Sequence, residues 1–329
     1  MFFMKILVIL PNWLGDAVMA TPAIELLALE YPNARFTFLG SYASIEALKH
    51  HPLCERAVVD ETKKSSNRLV ATYELAKKLG AFSLAVSFRN QLHSSLLLRL
   101  TGTVVCVARS SWHSMFLLSH TPKISTNQHL VQQYAQLAMS DNHDYDGNVP
   151  NLRLYMEPTK RKNPTLGINA GATYGSAKRW YPERFAQVAA AFNDKYDVII
   201  FGGPNEVDMA NEIESHLKEA NVENYVNLAG KTTIQELCSN IAGCSLFVTN
   251  DSGPMHVAAA YQVPTVAIFG PTRYKETSQW MNEKSVIVRH EMKCSPCMQR
   301  ECPLGHHDCM KGIAALEVVE AVRSLDLKA

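Results

Sequence analysis

The sequence lacks a charge excess of either sign. Its 32 Lys and Arg stand against 31 Asp and Glu in 329 residues, so no global field selects nucleic acid, and only a local basic patch could do so. No apolar run approaches the roughly 20 residues that span a bilayer, which makes any membrane role peripheral. No G-x-G-x-x-G occurs, which removes the nicotinamide and flavin fingerprint. The fragment AGKTT at 229–233 ends like a phosphate loop, but Tyr225 stands where its leading glycine should be. The DYD of 144–146 imitates a metal-binding D-x-D but follows no strand. Disorder is excluded too, because 47% hydrophobic and 19% charged residues describe a well-packed chain.

The length exceeds what one core usually holds and predicts two domains. MFFMKILVIL has the outline of a signal peptide, yet its run is short, contains Lys5 and leads into PNWLGD rather than a cleavage site. It reads as the buried first strand of a cytoplasmic protein. Apolar runs (KILVIL, RFTFLG, AVVD, SLAVSF, TVVCVA) then alternate with helical patterns (AIELLALEY, NRLVATYELAKKLG, QLHSSLLLRL). This is the rhythm of a parallel sheet covered on both faces. A polar stretch at 140–164 reads as a domain connection, and the rhythm restarts with TLGIN, YDVIIFGG, YVNLAG, SLFVTN and PTVAIFG. The expectation is an α/β chain of two Rossmann-like domains, 1–155 and 156–329, with a cleft between them.

Ligands of such sheets bind at the carboxyl ends of strands, which singles out a few loops. In LPNWLGDAVMATPAI the first strand gives way to a helix at Gly15-Asp16. There the carboxylate either serves the helix start or does chemistry. In SLFVTNDSGPMHVAAA a strand runs into Asp251-Ser252-Gly253, with Pro254 at a helix entry and His256 in its first turn. That entry is either a plain cap or a diphosphate site built from free amides and the helix dipole. GATYGSAKRW brings Thr173 and Lys178 to another such loop, suited to an anionic leaving group or simply solvated. FGGPNE puts Glu206 where ribose-binding acids stand in dinucleotide folds, or where an acid simply serves a helix start. The eight cysteines divide: Cys54, Cys106, Cys238 and Cys244 read as buried thiols. Cys294, Cys297, Cys302 and Cys309 crowd a C-x2-C-x4-C-x6-C run that fits either a metal cluster or a packed, reduced tail.

Together PNWLGDAVMATPAI, GATYGSAKRWYPERFAQVA, NDSGPMHVAAAYQVPTVAIFGPT and CSPCMQRECPLGHHDCM resemble the ADP-heptose:lipopolysaccharide heptosyltransferases over nearly the whole chain. The last segment is most similar to the members that add the second heptose of the inner core. The resemblance implies a GT-B fold and an inverting transfer that needs no divalent metal or other cofactor. The acceptor would sit on the N-terminal domain and ADP-heptose on the C-terminal one, with ALEVVEAVRSLDL crossing back as the last helix. It implies Asp16 as general base and Lys178 on the diphosphate, with Thr173 near the phosphates and Glu206 on the ribose. Asp251, Ser252, Gly253 and His256 would make further donor contacts. The lipid-linked acceptor is anionic; Lys63, Lys64 and Arg68 of KKSSNR, joined by Arg89 after SLAVSF, are either a basic face for it or simply a solvated helix end. The enzyme would then work at the inner face of the cytoplasmic membrane. One departure is Asn12-Trp13, where the family often has Ser. Other readings stay open: a different GT-B transferase, a nucleotide-sugar epimerase, or a zinc-binding scaffold without catalysis.

Overall fold

The run KILVI becomes β1 (Lys5–Ile9), in which Ile6 to Ile9 are fully buried. A strand apolar on both faces needs a helical layer above and below, and the sequence around it supplies both. The computed structural model describes residues 4–109, 115–142 and 144–325. Residues 1–3 of the N-terminal run, His143 of the expected connection, and Asp326 and Leu327 of the expected last helix lie outside them. The chain divides into two compact units, Met1–Tyr155 and Met156–Ala329.

In the first unit β1 lies between β2 (Arg35–Gly40) and β4 (Leu84–Ser87), with β3 (Cys54–Val59) and β5 (Val105–Ala108) outermost. All five are parallel, and Val8 sits beside Phe38 on one side and Val86 on the other. After β2 and β3 are laid down on one side of β1, β4 returns to the other. The β1 and β4 loops therefore diverge at a topological switch point, where such sheets hold ligands.

Just past β1 the helix Leu14–Met19 runs almost directly into Thr21–Glu30. Pro22 has no N–H for the carbonyl four residues back, and Thr21 Oγ1 donates to that Val18 oxygen instead, at 2.7 Å. The expected connection contains no strand or helix among the described residues, yet it is no solvated tether. Leu152 and Leu154 are buried in it. It is tied down by Arg153 N donating to Thr21 Oγ1 (3.0 Å) and by Tyr155 OH donating to Glu25 (2.8 Å).

The second unit repeats the plan with six parallel strands in the order β11-β10-β9-β6-β7-β8. These are β6 (Thr165–Asn169), β7 (Asp197–Phe201), β8 (Tyr225–Asn227), β9 (Leu246–Asn250), β10 (Thr265–Ile268) and β11 (Ser285–Val288). Here the switch point lies between β6 and β9. The helix Ala315–Ser324 buries Val318, Val319 and Val322 in this unit's core with Leu166 and Trp180. No helix among the described residues is long and apolar enough to cross a membrane.

Among the elements that escaped the sequence reading, three stand out. β11 is a short, largely half-buried edge strand. The helix Tyr42–Leu48 is only seven residues long and is capped by Ser41 Oγ accepting from Ser44 N. The helix Leu130–Ala138 starts at a reciprocal cap between His129 and Gln132.

β6 and β9 approach so closely that a Cβ on Gly167 would lie 2.6 Å from the Phe247 ring and 3.0 Å from Cys244 Sγ. Gly167→Ala is expected to lower the stability of the second unit by about 1–3 kcal/mol through overpacking, measured by denaturant titration. An unchanged midpoint would show that the two strands can part.

Candidate active site

The two switch points gather most of the candidate residues. In the second unit, two buried amides lace the β6 loop to the β9 loop. Asn169, the last residue of β6, donates to Gly171 O (3.2 Å), Thr249 Oγ1 (3.4 Å) and Ser252 Oγ (3.2 Å). Asn250, the last residue of β9, donates to Ala170 O and accepts from Trp180 N at 3.1 Å. Trp180 is in turn locked by its indole N–H on Ile313 O (3.1 Å) and by the Phe185 ring. The loop between these fixed points carries Thr173, which is exposed, and Lys178.

Lys178 Nζ lies 2.6 Å from Asp251 Oδ2 and 3.2 Å from Asp251 O, and 4.9 Å above the Tyr174 ring. Thr272, from the loop after β10, donates to the same Asp251 oxygen at 2.6 Å. Sequence reasoning assigned Asp251 and Lys178 separately to the donor. The structure pairs them, and Asp251 is 3% exposed. A buried carboxylate is tolerated only with such partners, so its first role is to aim the lysine. Thr272 and Tyr174 were not expected, although both lie in segments that carried the family resemblance.

Ser252 precedes the eight-residue helix Gly253–Ala260 in extended conformation, and its side chain caps nothing. The hydroxyl instead meets Asn169 and Thr249 (3.2 Å each). The amide end of this helix, with Gly253 first and Pro254 next, has no side-chain cap and keeps its positive dipole end available. His256 is buried within that helix. Glu206 closes a short turn after β7, where its Oε2 accepts from Gly203 N at 2.8 Å. Its carboxyl lies flush on Gly171: an added Cβ there would sit 2.0 Å from Glu206 Cδ. Gly171 is thus required by the approach of this acid to the β6 loop.

The cysteine-rich segment supports the same loop. Tyr174 OH donates to Met298 O (2.7 Å), Ala177 N to Arg300 O (3.0 Å), and a Cβ on Gly175 would meet Arg300 O at 2.2 Å. His307 Nε2 is 2.9 Å from Ala177 O, which can only accept, so Nε2 carries the hydrogen and Nδ1 receives Tyr181 OH at 3.2 Å. Backbone amides, that of His307 first, cradle Cys302 and hold its thiol below the usual range; burial pushes Cys309 up to about 11, helped by the neighbouring cysteines. Among the described residues, the one group of three metal-type side chains with ligand atoms within 4.8 Å of each other is Glu183, Glu212 and His216. The four cysteines form no such group.

In the first unit Asp16 is half-buried in the first turn of Leu14–Met19, two residues inside the helix, so it is not the cap; that position is Trp13. The Asp16 charge reaches Tyr134, whose phenol is held well above its ordinary value by burial first and then by this charge, against the pull of Arg109. Across the β1/β4 switch point, Arg89 is 5% exposed. Its Nε donates to Leu10 O (2.7 Å) and its Nη1 to Asp60 Oδ2 (2.8 Å). It joins the ends of β1, β3 and β4 and is not part of the exposed basic face expected for it, because its charge is consumed by Asp60.

Lys63 and Lys64 are exposed, with Lys64 on Glu61 at 2.8 Å. Arg68 is half-buried, and its Nε and Nη2 find no partner among the described residues; the same holds for Arg89 Nη2. The charges of both arginines act on His93, which the sequence reading missed. Thr62 Oγ1 donates to Asp60 and Thr72 Oγ1 to Arg68 O, so the His93 Nε2 that meets both hydroxyls carries the hydrogen. Burial and the Arg68 charge hold this imidazole below its usual range.

The model of glycosyltransferase family 9 (heptosyltransferase) matches residues 72–307. The lipooligosaccharide heptosyltransferase 2 of Campylobacter jejuni serotype O:2 is 39% identical over 98% of either chain. That of Haemophilus influenzae is 30% identical over 87% of this chain and 88% of its own. The solved structure of Escherichia coli ADP-heptose lps heptosyltransferase II superposes with a TM-score of 0.82 at 25% identity, covering 98% of each chain. The two Rossmann-like units are those of the GT-B fold.

Burial raises Asp60, but hydrogen bonds from Thr62 and Arg89 and the Arg89 charge outweigh it and leave its carboxyl below the usual range. A carboxyl so depressed in the folded state adds stability that is full above about pH 4 and fades as pH falls through the folded value. Asp60→Asn, which strands the buried Arg89, is expected to cost about 3–5 kcal/mol at neutral pH and to flatten the acid limb of a stability–pH profile. A variant as stable as the parent would remove this pair from the account.

Proposed function

The chain belongs to glycosyltransferase family 9, the heptosyltransferases, and we propose that it transfers L-glycero-D-manno-heptose from ADP-heptose to the first heptose of the lipopolysaccharide inner core, heptosyl-Kdo2-lipid A, with inversion. The observation that carries this reading is the pairing of Lys178 with Asp251, 2.6 Å apart, beside an uncapped helix start at the second unit's switch point. A primary ammonium that meets Asp251 through Oδ2 and the backbone oxygen keeps a third hydrogen to donate, so Lys178 can take the diphosphate without leaving Asp251. The amides of Ser252 and Gly253 add the helix dipole, and these groups, with Thr173 at the loop's surface, stabilise the departing ADP without a divalent metal. Glu206 takes the ribose hydroxyls, and His256 lies behind the helix start as a further donor contact.

Asp16 is the general base. It removes the proton of the acceptor hydroxyl while that oxygen attacks the anomeric carbon from the face opposite ADP. A carboxylate with a pKa of about 3.9 is a weak base for an alcohol, so the proton moves late, as the oxygen bonds to an oxocarbenium-like carbon. Lys63, Lys64 and Arg68 meet the anionic groups of the acceptor, the last with two guanidinium nitrogens that have no hydrogen-bond partner among the described residues. Arg89 stands behind them as a positioning residue. The site of action is the cytoplasmic side of the inner membrane, where a lipid-linked acceptor is reached by peripheral contact; nucleic acid has no part in it.

Incubation with ADP-heptose, with and without heptosyl-Kdo2-lipid A, tests the reading. ADP should appear only with acceptor, together with a product heavier by one heptose; a donor altered in the absence of acceptor would make the protein an epimerase. Asp16→Asn is expected to lower kcat by about 10²–10⁴ with donor affinity unchanged, because the base acts in the transition state. Near-normal turnover of that variant would end the assignment of Asp16.

A further inference from the structure

The carboxyl edge of the first sheet carries an apolar surface that the chemistry above does not use. From β3 the chain passes through the turn Thr62–Lys64 into the helix Arg68–Leu79; β4 leads into Leu92–Leu100, and β5 precedes the turn Met115–Leu117. These pieces are contiguous: the first helix packs on the second and the second on the last turn. His93 Nε2, at 2.8 Å from Thr72 Oγ1 and 3.3 Å from Thr62 Oγ1, fixes where they start. On their outer side Leu69 is 68% exposed and Phe116 86%, with Val70, Tyr73 and Leu92 more than half exposed. Positions 69, 70 and 73 share one helix face, so that face is apolar toward solvent while Thr72, Ala76 and Leu79 point inward.

A helix with apolar residues on its outer face needs something to cover them. Lys63, Lys64 and Lys77 border this surface and are all exposed; the nearby acids are Glu61, which pairs with Lys64, and Glu74. Lysine is depleted from protein–protein interfaces, whereas lysine around leucine and aromatic side chains is the pattern of a surface lying on anionic lipid. Long ammonium side chains reach the headgroups while leucine and phenylalanine enter the acyl boundary. The edge is also the one from which Asp16 projects.

We propose that the surface formed by Leu69, Val70, Tyr73, Leu92 and Phe116, with its lysine border, docks the first unit on an anionic phospholipid bilayer. Resting on the proposed function, this surface lets Asp16 meet the sugar of an acceptor whose lipid stays in the membrane. The lysines raise the encounter with the surface, and the apolar side chains hold it there. Insertion is shallow, because no helix among the described residues is long and apolar enough to cross a membrane.

Flotation of the full chain with vesicles tests this. The protein should float with vesicles of phosphatidylethanolamine and phosphatidylglycerol and not with phosphatidylcholine alone. The combined variant Leu69→Ser, Val70→Ser, Phe116→Ser should lose about tenfold in partitioning while keeping the parent's thermal midpoint. It should still transfer heptose to a deacylated, water-soluble acceptor at the parent rate. A parent that stays off the anionic vesicles, one that binds phosphatidylcholine equally, or a variant that floats like the parent overturns the docking surface. Absence of transfer by the parent to the deacylated acceptor, with lipid binding intact, would instead overturn the proposed function and leave the surface standing.

Discussion

The ion pair between Lys178 and Asp251 is the contact on which the second unit's site depends. Asp251 ends a strand loop in a nearly solvent-free position, where a lone carboxylate would be strongly unfavourable. Lys178 at 2.6 Å and Thr272 at 2.6 Å from the same oxygen make it tolerable. In return the carboxylate fixes a flexible four-carbon side chain on a glycine-containing loop, over the ring of Tyr174. Strand order makes the meeting possible. Because β9 returns beside β6 rather than beyond β8, the loops that carry the two residues leave the sheet as neighbours.

Everything around the pair restricts that loop. Asn169 and Asn250 tie it to β9 from within the sheet, and Trp180 anchors its far end. Glu206 closes on it at Gly171, and the cysteine-rich segment supports it at Gly175 and Ala177. The C-x2-C-x4-C-x6-C run thus acquires a mechanical role through the backbone carbonyls of Met298 and Arg300, whatever its thiols bind. Burial and hydrogen bonding, not proximity in sequence, connect residues 174 and 300. The first unit has a counterpart in Arg89, which joins three strand ends and leaves the exposed charge to Lys63 and Lys64.

Much of this was legible in the sequence because parallel strands buried on both faces leave continuous apolar runs, and β1, β6 and β9 fall on KILVI, TLGIN and LFVTN. The loops worth reading were equally visible, since ligands favour strand ends. Pairing was not: nothing in the order of residues says that Asp251 faces Lys178 rather than a ligand, or that Arg89 is turned inward to Asp60. A basic residue after a strand looks the same whether it meets solvent or a buried acid, and only the third dimension separates the two. His93 carried no signal because its significance lies in its neighbours on two other elements. Edge strand β11 and the helix Tyr42–Leu48 were missed for a simpler reason, their shortness, which leaves periodicity little to work with.

The account stands or falls on Lys178 as the cation that meets the donor's diphosphate. Calorimetric titration of ADP and of adenosine into the parent and into Lys178→Gln measures that contact apart from the adenosine pocket. Adenosine should bind both proteins alike, while ADP should lose about ten- to a hundredfold in the variant, as expected for one hydrogen bond to a charged group. An unchanged ratio of ADP to adenosine affinity would contradict the account.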